Sequence, residues 1–178
     1  MNPPVPLELI PVLDVGGQDI RVRELIATPE LARTVSSHLG HSKRSGELYG
    51  EVLQGGVVIQ GSGWWIDRAG CCSDLSAVYD WQKAVTNQST EWAYIGGGFE
   101  GVYTRCEDGL FTITDLTEVE TRQPPVPMIS GIPAAALLSA FQRAAAEVEE
   151  LRSDIFKLLQ SMGYKEEAVW LTPNLIGY

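Results

Sequence analysis

The sequence predicts an α+β fold, an antiparallel sheet of five to seven strands with one long C-terminal helix packed across it. Three observations carry this expectation. Residues 133–162 hold an unbroken amphipathic pattern far longer than any strand. Residues 7–116 alternate short runs rich in Val, Ile, Tyr and Trp with glycine-bearing turns. Between the two lies a stretch, 121–132, broken by Pro124, Pro125 and Pro127, which cannot extend a helix and fit poorly in a central strand. A chain of 178 residues is in the usual range for one domain, so residues 1–178 are expected to form a single unit.

Taken in order, Leu7–Leu13 and Gln18–Leu25 predict a hairpin around Asp14-Val15-Gly16-Gly17, because Gly-Gly supplies the positive φ that a tight turn needs. Thr28-Pro29-Glu30 is a helix start with Thr28 as N-cap and Pro29 at N1. Leu31, Val35 and Leu39 follow at helical spacing, and Gly40 ends the run. Residues 41–46 predict an exposed loop, and Leu48–Ile66 two or three short strands divided by Gly55-Gly56 and Gly61-Ser62-Gly63. Leu75, Val78, Tyr79 and Val85 place an apolar stripe on a helix over 74–85. Glu91–Ile95, Glu100–Cys106 and Leu110–Leu116 read as a meander turning at Gly96-Gly97-Gly98 and Glu107-Asp108-Gly109.

Residues 121–132 are expected to cross the surface as a stiff linker into the final helix. That helix has Pro133 at N1 and Gly163 as its left-handed stop. Leu137, Phe141, Ala144, Val148, Leu151, Ile155, Leu158 and Met162 recur at alternating spacings of four and three, which lines them up on one seam. The seam spans only about four heptads and includes an alanine, so packing on the sheet is expected rather than a coiled coil. Residues 164–178 form a tail that can fold back over the sheet or the helix end.

Composition narrows the function classes. At 44% hydrophobic and 20% charged the chain is too apolar for a disordered one. Met-Asn-Pro-Pro lacks a basic leader and no apolar run approaches the ~18 residues of a span, so a cytoplasmic chain without membrane partners is expected. Cys71, Cys72 and Cys106 cannot all pair, which fits a reducing compartment. The net charge of −10 is uneven: residues 66–120 hold ten acids against three bases, or −7. Such a field repels nucleic acid and draws in a basic partner, although the same acids also serve solubility.

Candidate chemistry is sparse. A thiol at Cys71 or Cys72 near a helix start would have a lowered pKa and could act as a nucleophile, but no base stands nearby in sequence and buried apolar cysteines are the commoner case. His38 and His41, three apart, would share a helical face and could hold zinc with a third ligand such as Cys71 or Glu47. As exposed groups near a helix C-terminus they would instead complement its dipole. Gly96-Gly97-Gly98-Phe99-Glu100-Gly101 lacks the Lys-Ser/Thr of a phosphate loop and reads as a turn, and no cofactor motif is present. Aromatics beside acids are the remaining signal: Trp64, Trp65 and Asp67; Asp74; Asp80 and Trp81; Glu91 and Trp92; then Glu100, Glu107 and Asp108. Such clusters suit a protein-binding surface, with the tryptophans as anchors, or a sugar platform, or a core covered by helices.

Gly63-Trp64-Trp65, Gly70-Cys71-Cys72-Ser73-Asp74-Leu75, Asp80-Trp81 and Glu91-Trp92 followed by a glycine turn resemble small bacterial proteins of toxin–immunity gene clusters, over roughly residues 63–115. The resemblance implies a non-enzymatic inhibitor that sequesters a toxin, and the acidic centre suits a basic one such as a nuclease. The alternatives are a thiol-dependent enzyme using Cys71 or Cys72, and a homodimeric scaffold or assembly subunit that associates through the C-terminal helix.

Overall fold

A computed structural model describes residues 7–41, 46–61, 64–66, 74–95, 100–115, 117–118 and 126–177, with the side chains of residues 64, 65, 100, 117 and 118 excepted. The chain opens with β1 (Glu8–Val15) and β2 (Gln18–Arg21), closed by a two-residue turn in which Gly16 and Gly17 take φ of 64° and 85°. Positive φ at both positions is the twist-matched type I′ geometry, and the Gly17 N–H donates to Asp14 Oδ1 at 2.7 Å. A short helix α1 (Val22–Leu25) follows, then α2 (Pro29–Ser37), capped by the Thr28 hydroxyl accepting from the Leu31 N–H at 3.3 Å.

The helix stops two residues before the expected end. Leu39, Gly40 and His41 form β3 (Leu39–His41), which pairs with β4 (Leu48–Gly50) as a small separate ribbon. The chain then returns as β5 (Gly55–Gly61) beside β1, and β6 (Trp64–Ile66) completes a four-stranded antiparallel sheet ordered β2-β1-β5-β6.

After α3 (Ala77–Asn87), the expected meander forms as β7 (Ala93–Ile95), β8 (Glu100–Glu107) and β9 (Leu110–Thr114), with β10 (Thr117–Glu118) extending β9 along β8. The β8–β9 register pairs Thr104 with Ile113, whereas the β8–β10 register pairs Gly101 with Thr117, so one extra residue bulges out between them. Thr114 fills the gap: its buried hydroxyl accepts from the Tyr103 N–H at 2.9 Å and donates to the Asp115 carbonyl at 2.9 Å.

Beyond this point one expectation is corrected and another made specific. The second half of the supposed linker is β11 (Pro127–Pro133), antiparallel to β9, with register shifts at Met128 and Gly131. Its prolines stand at the two ends of an edge strand, where a missing N–H interrupts little, and Ile132 is buried. The tail folds back onto α4 and β4, as expected, and does so as α5 (Ala168–Ile176), with Pro173 inside it. Ala168, Leu171, Thr172, Leu175 and Ile176 are buried at helical spacing, and that packing outweighs the lost hydrogen bond.

The α+β class therefore holds, but the strands among the described residues divide among three antiparallel sheets of four, five and two strands rather than one sheet. The long helix α4 (Ala134–Ser161) joins the two larger sheets, touching β1, β11, α1, α2, α3 and α5. Pro133 is its N-cap rather than its first helical residue. The buried stripe is Leu137, Ala140, Phe141, Ala144, Val148, Leu151, Ile155 and Leu159, while Leu158 is half-buried and Met162 is 38% exposed. A straight helix turns about 100° per residue, which keeps Leu159 within about 20° of Val148 and swings Leu158 about 80° away. The seam faces core within one chain, so it is already occupied and is not a free dimer face.

Candidate functional site

The strand registers bring together residues that are separate in sequence. Ala93 pairs with Thr104, which sets Trp92 against Arg105. The guanidinium carbon lies 4.9 Å from the centre of the half-buried Trp92 ring. Arg105 Nη1 also reaches Glu107 Oε1 at 3.2 Å, and the Glu107 side chain is 61% exposed. Asp108, in the β8–β9 turn with φ of 51°, is exposed, as is Glu91. Ser89 ties these together: its carbonyl accepts from the Cys106 N–H at 2.7 Å, and its hydroxyl donates to the Glu91 carbonyl at 2.9 Å. Glu91, Trp92, Glu107 and Asp108 thus share one end of the β7–β8–β9 sheet, with Arg105 as an internal counter-charge.

Ser89 also lines a cleft of about 360 Å³ between α3 and β7. Asp80, Lys83 and Asn87 present one face of α3 to it, and Tyr94 and Ile95 form the strand wall. Asp80 accepts from Lys83 Nζ at 3.3 Å, and an exposed pair of this kind is worth at most about 1 kcal/mol, so either partner is readily recruited by an incoming charge. Tyr94 packs across the ladder on Tyr103, ring centres 5.3 Å apart, which stiffens that wall. The cleft and the acidic sheet end meet at Ser89, which lines the one and bonds to Glu91 and Cys106 in the other. Their charged groups are Asp80, Glu91, Glu107 and Asp108 against Lys83 and Arg105.

Other residues singled out from sequence lie elsewhere. Trp81 is only 4% exposed and packs with Val78 and Val85 on the buried face of α3, so it supplies core and not an anchor. Its spacing from those valines was the signal that would have placed it there. Asp74 precedes α3, where its carboxylate accepts from the Ser76 N–H at 2.8 Å. It also lies against Gly177, whose φ is 86°. It therefore braces α3 to the C-terminal end of α5. Asp67, Cys71 and Cys72 lie outside the described residues, as do the side chains of Trp64, Trp65 and Glu100. The backbones of Trp64 and Trp65 belong to β6, and that of Glu100 to β8.

His38 and His41 do not share a helical face, because the helix ends at Ser37. His38 Nδ1 lies 2.8 Å from the Thr34 carbonyl, closing the last turn of α2, and His41 is exposed in β3. Among the described residues no three His, Cys, Asp or Glu side chains are grouped to hold a metal ion. Cys106 is buried. No helix among the described residues is long and apolar enough to cross a membrane.

Two further concavities were invisible in the sequence. One, about 340 Å³, runs between α4 and α5 and is lined by Arg152, Phe156, Val169 and Pro173 among others. The other, about 90 Å³, is enclosed by β1, β2, α1 and α4 and gathers Arg21, Arg23, Arg143, Glu8 and Glu147. Burial holds the Glu147 carboxyl above its usual range, outweighing the opposite pull of Arg23 and Arg21, while Glu8 and Glu150 push the same way as burial.

Comparison of the chain with protein-family models, with curated proteins and with solved structures found no match.

Proposed function

We propose that this chain is a non-enzymatic binding protein that neutralises a basic protein partner, in the manner of an immunity protein acting on a bacterial toxin. The observation that carries the reading is that Ser89, in the lining of the α3–β7 cleft, is bonded to the acidic end of the β7–β8–β9 sheet. A cleft of mixed polar and apolar lining beside four exposed or half-exposed carboxylates suits a lysine- or arginine-bearing loop. Complementary charge speeds the encounter, and the half-buried Trp92 with the cleft supplies desolvated contact. The net charge of −10 adds long-range attraction for a cationic partner. Ser89, the hydroxyl in the cleft nearest to being a nucleophile, is engaged with the Glu91 main chain, which favours binding over covalent chemistry.

The experiment is a titration against the basic protein encoded by the neighbouring gene at two salt concentrations. Binding that weakens as salt rises supports the proposal. No binding, or binding indifferent to salt, overturns it.

A further inference from the structure

Among the described cations, Arg33, Lys83, Arg105, Arg152 and Lys157 each hold a carboxylate within two or three residues, at 2.7, 3.3, 3.2, 3.6 and 3.4 Å. The three arginines of the 90 Å³ cavity behave differently. Arg21 approaches Glu24 only at 4.0 Å. Arg23 has no ion pair among the described residues. Arg143 spends its fork on neutral oxygens, the Leu7 carbonyl at 3.0 Å and the Ser139 hydroxyl at 2.8 Å. They come from β2, α1 and α4, so the fold, and not local sequence, converges them, over a floor of Leu9 and Ile10. Three guanidinium groups thus share one small cavity with two carboxylates, Glu8 and Glu147, a local excess of cations in a chain of net charge −10 that leaves a place for an anion from outside.

We propose that this cavity is a binding slot for a tetrahedral oxyanion, a phosphate or sulfate group, held by Arg21, Arg23 and Arg143. Guanidinium forks match such oxygens in bidentate geometry, and the volume is on the order of one oxyanion with a water or two, too small for a nucleoside. Glu8 and Glu147 also line the slot and oppose the anion when charged. Burial raises the pKa of the Glu147 carboxyl, and removing its charge takes one of the two opposing carboxylates out of the slot. The charged groups facing it are Glu8 from β1, Arg21 from β2, Arg23 from α1, and Arg143 and Glu150 from α4. Occupancy would tie β1, the β2–α1 corner and α4 together on the side of the fold formed by the four-stranded sheet, independently of the α3–β7 cleft.

The test is calorimetric titration and thermal melting of the full chain with sodium sulfate, against sodium chloride at equal ionic strength, with inorganic phosphate as a second probe. A saturable heat and a rise in Tm specific to the oxyanions are expected. Arg23→Gln, a change at an exposed position, should bind about tenfold more weakly, the loss of one charge-assisted contact. Glu147→Gln should bind more tightly at pH 7.5. Equal shifts with sulfate and chloride, equal responses of wild type and Arg23→Gln, or no gain in Glu147→Gln would each overturn the proposal.

Discussion

Truncating Leu159 and Leu158 separately distinguishes the two ways the long helix can present its apolar side. A heptad seam puts Leu158 in line with Ile155 and leaves Leu159 beside it. In the structure Leu159 is fully buried and Leu158 only half so. A fully buried leucine replaced by alanine loses the transfer free energy of its branched end and leaves a cavity, together about 3 kcal/mol within a range of about 2–5. A half-buried one, whose site is open to solvent, loses about 1 kcal/mol. Urea unfolding of wild type, Leu158→Ala and Leu159→Ala, with the slope m checked for constancy, reads both numbers directly. Leu159→Ala should lower the midpoint about three times as far. If Leu158→Ala proves as costly as Leu159→Ala, the helix faces its partners along the heptad line and the packing described above is wrong.

Three other consequences can be measured the same way. Thr114→Val should cost about 1 kcal/mol, because it orphans the part-buried Tyr103 N–H at the bulge, and an unchanged midpoint would mean the hydroxyl contributes nothing there. Gly177→Ala should destabilise by more than about 1 kcal/mol, from its φ of 86° and from the Asp74 carboxylate that a Cβ would meet. Pairing it with Asp74→Ala should recover part of that loss, and strict additivity of the two changes would contradict the contact. Glu147 has a folded pKa above its ordinary 4.5, so the stability it confers is fully present below that value and is lost as pH rises through the folded one. Glu147→Gln should therefore be more stable than wild type at pH 7 and converge on it toward pH 4; a gap independent of pH would contradict the shift.

What could be read from sequence was local. The Gly16-Gly17 and Asp108-Gly109 turns, the Thr28 cap and most of the α4 stripe are set by residues within one turn of each other, and they lie where their chemistry puts them. Sheet membership was not legible, because nothing near β5 announces that it returns to β1, or near β11 that it pairs with β9. Proline misled at Pro127, where the edge position of β11 makes the missing N–H of little consequence. The site shows the same division. Glu107 and Asp108 were legible as an exposed acidic turn, but their alignment with Glu91 and Trp92 depends on the β7–β8 register. The arginine cavity draws on positions over a hundred residues apart, such as Arg23 and Arg143, and no local pattern encodes it.

The central claim is that a particular acidic surface, and not the net charge alone, recognises a basic partner. Two variants with equal charge change decide it: Asp80→Lys, Glu91→Lys, Glu107→Lys at the cleft and sheet end, and Glu51→Lys, Glu150→Lys, Glu166→Lys elsewhere in the chain. Association of each with the neighbouring gene's basic product should be timed by stopped flow or surface plasmon resonance at physiological salt. The first variant should lose at least about tenfold in association rate and more in affinity, while the second stays within a few-fold of wild type. Equal losses in the two variants would reduce the effect to net charge and contradict the claim, as would full binding by the first.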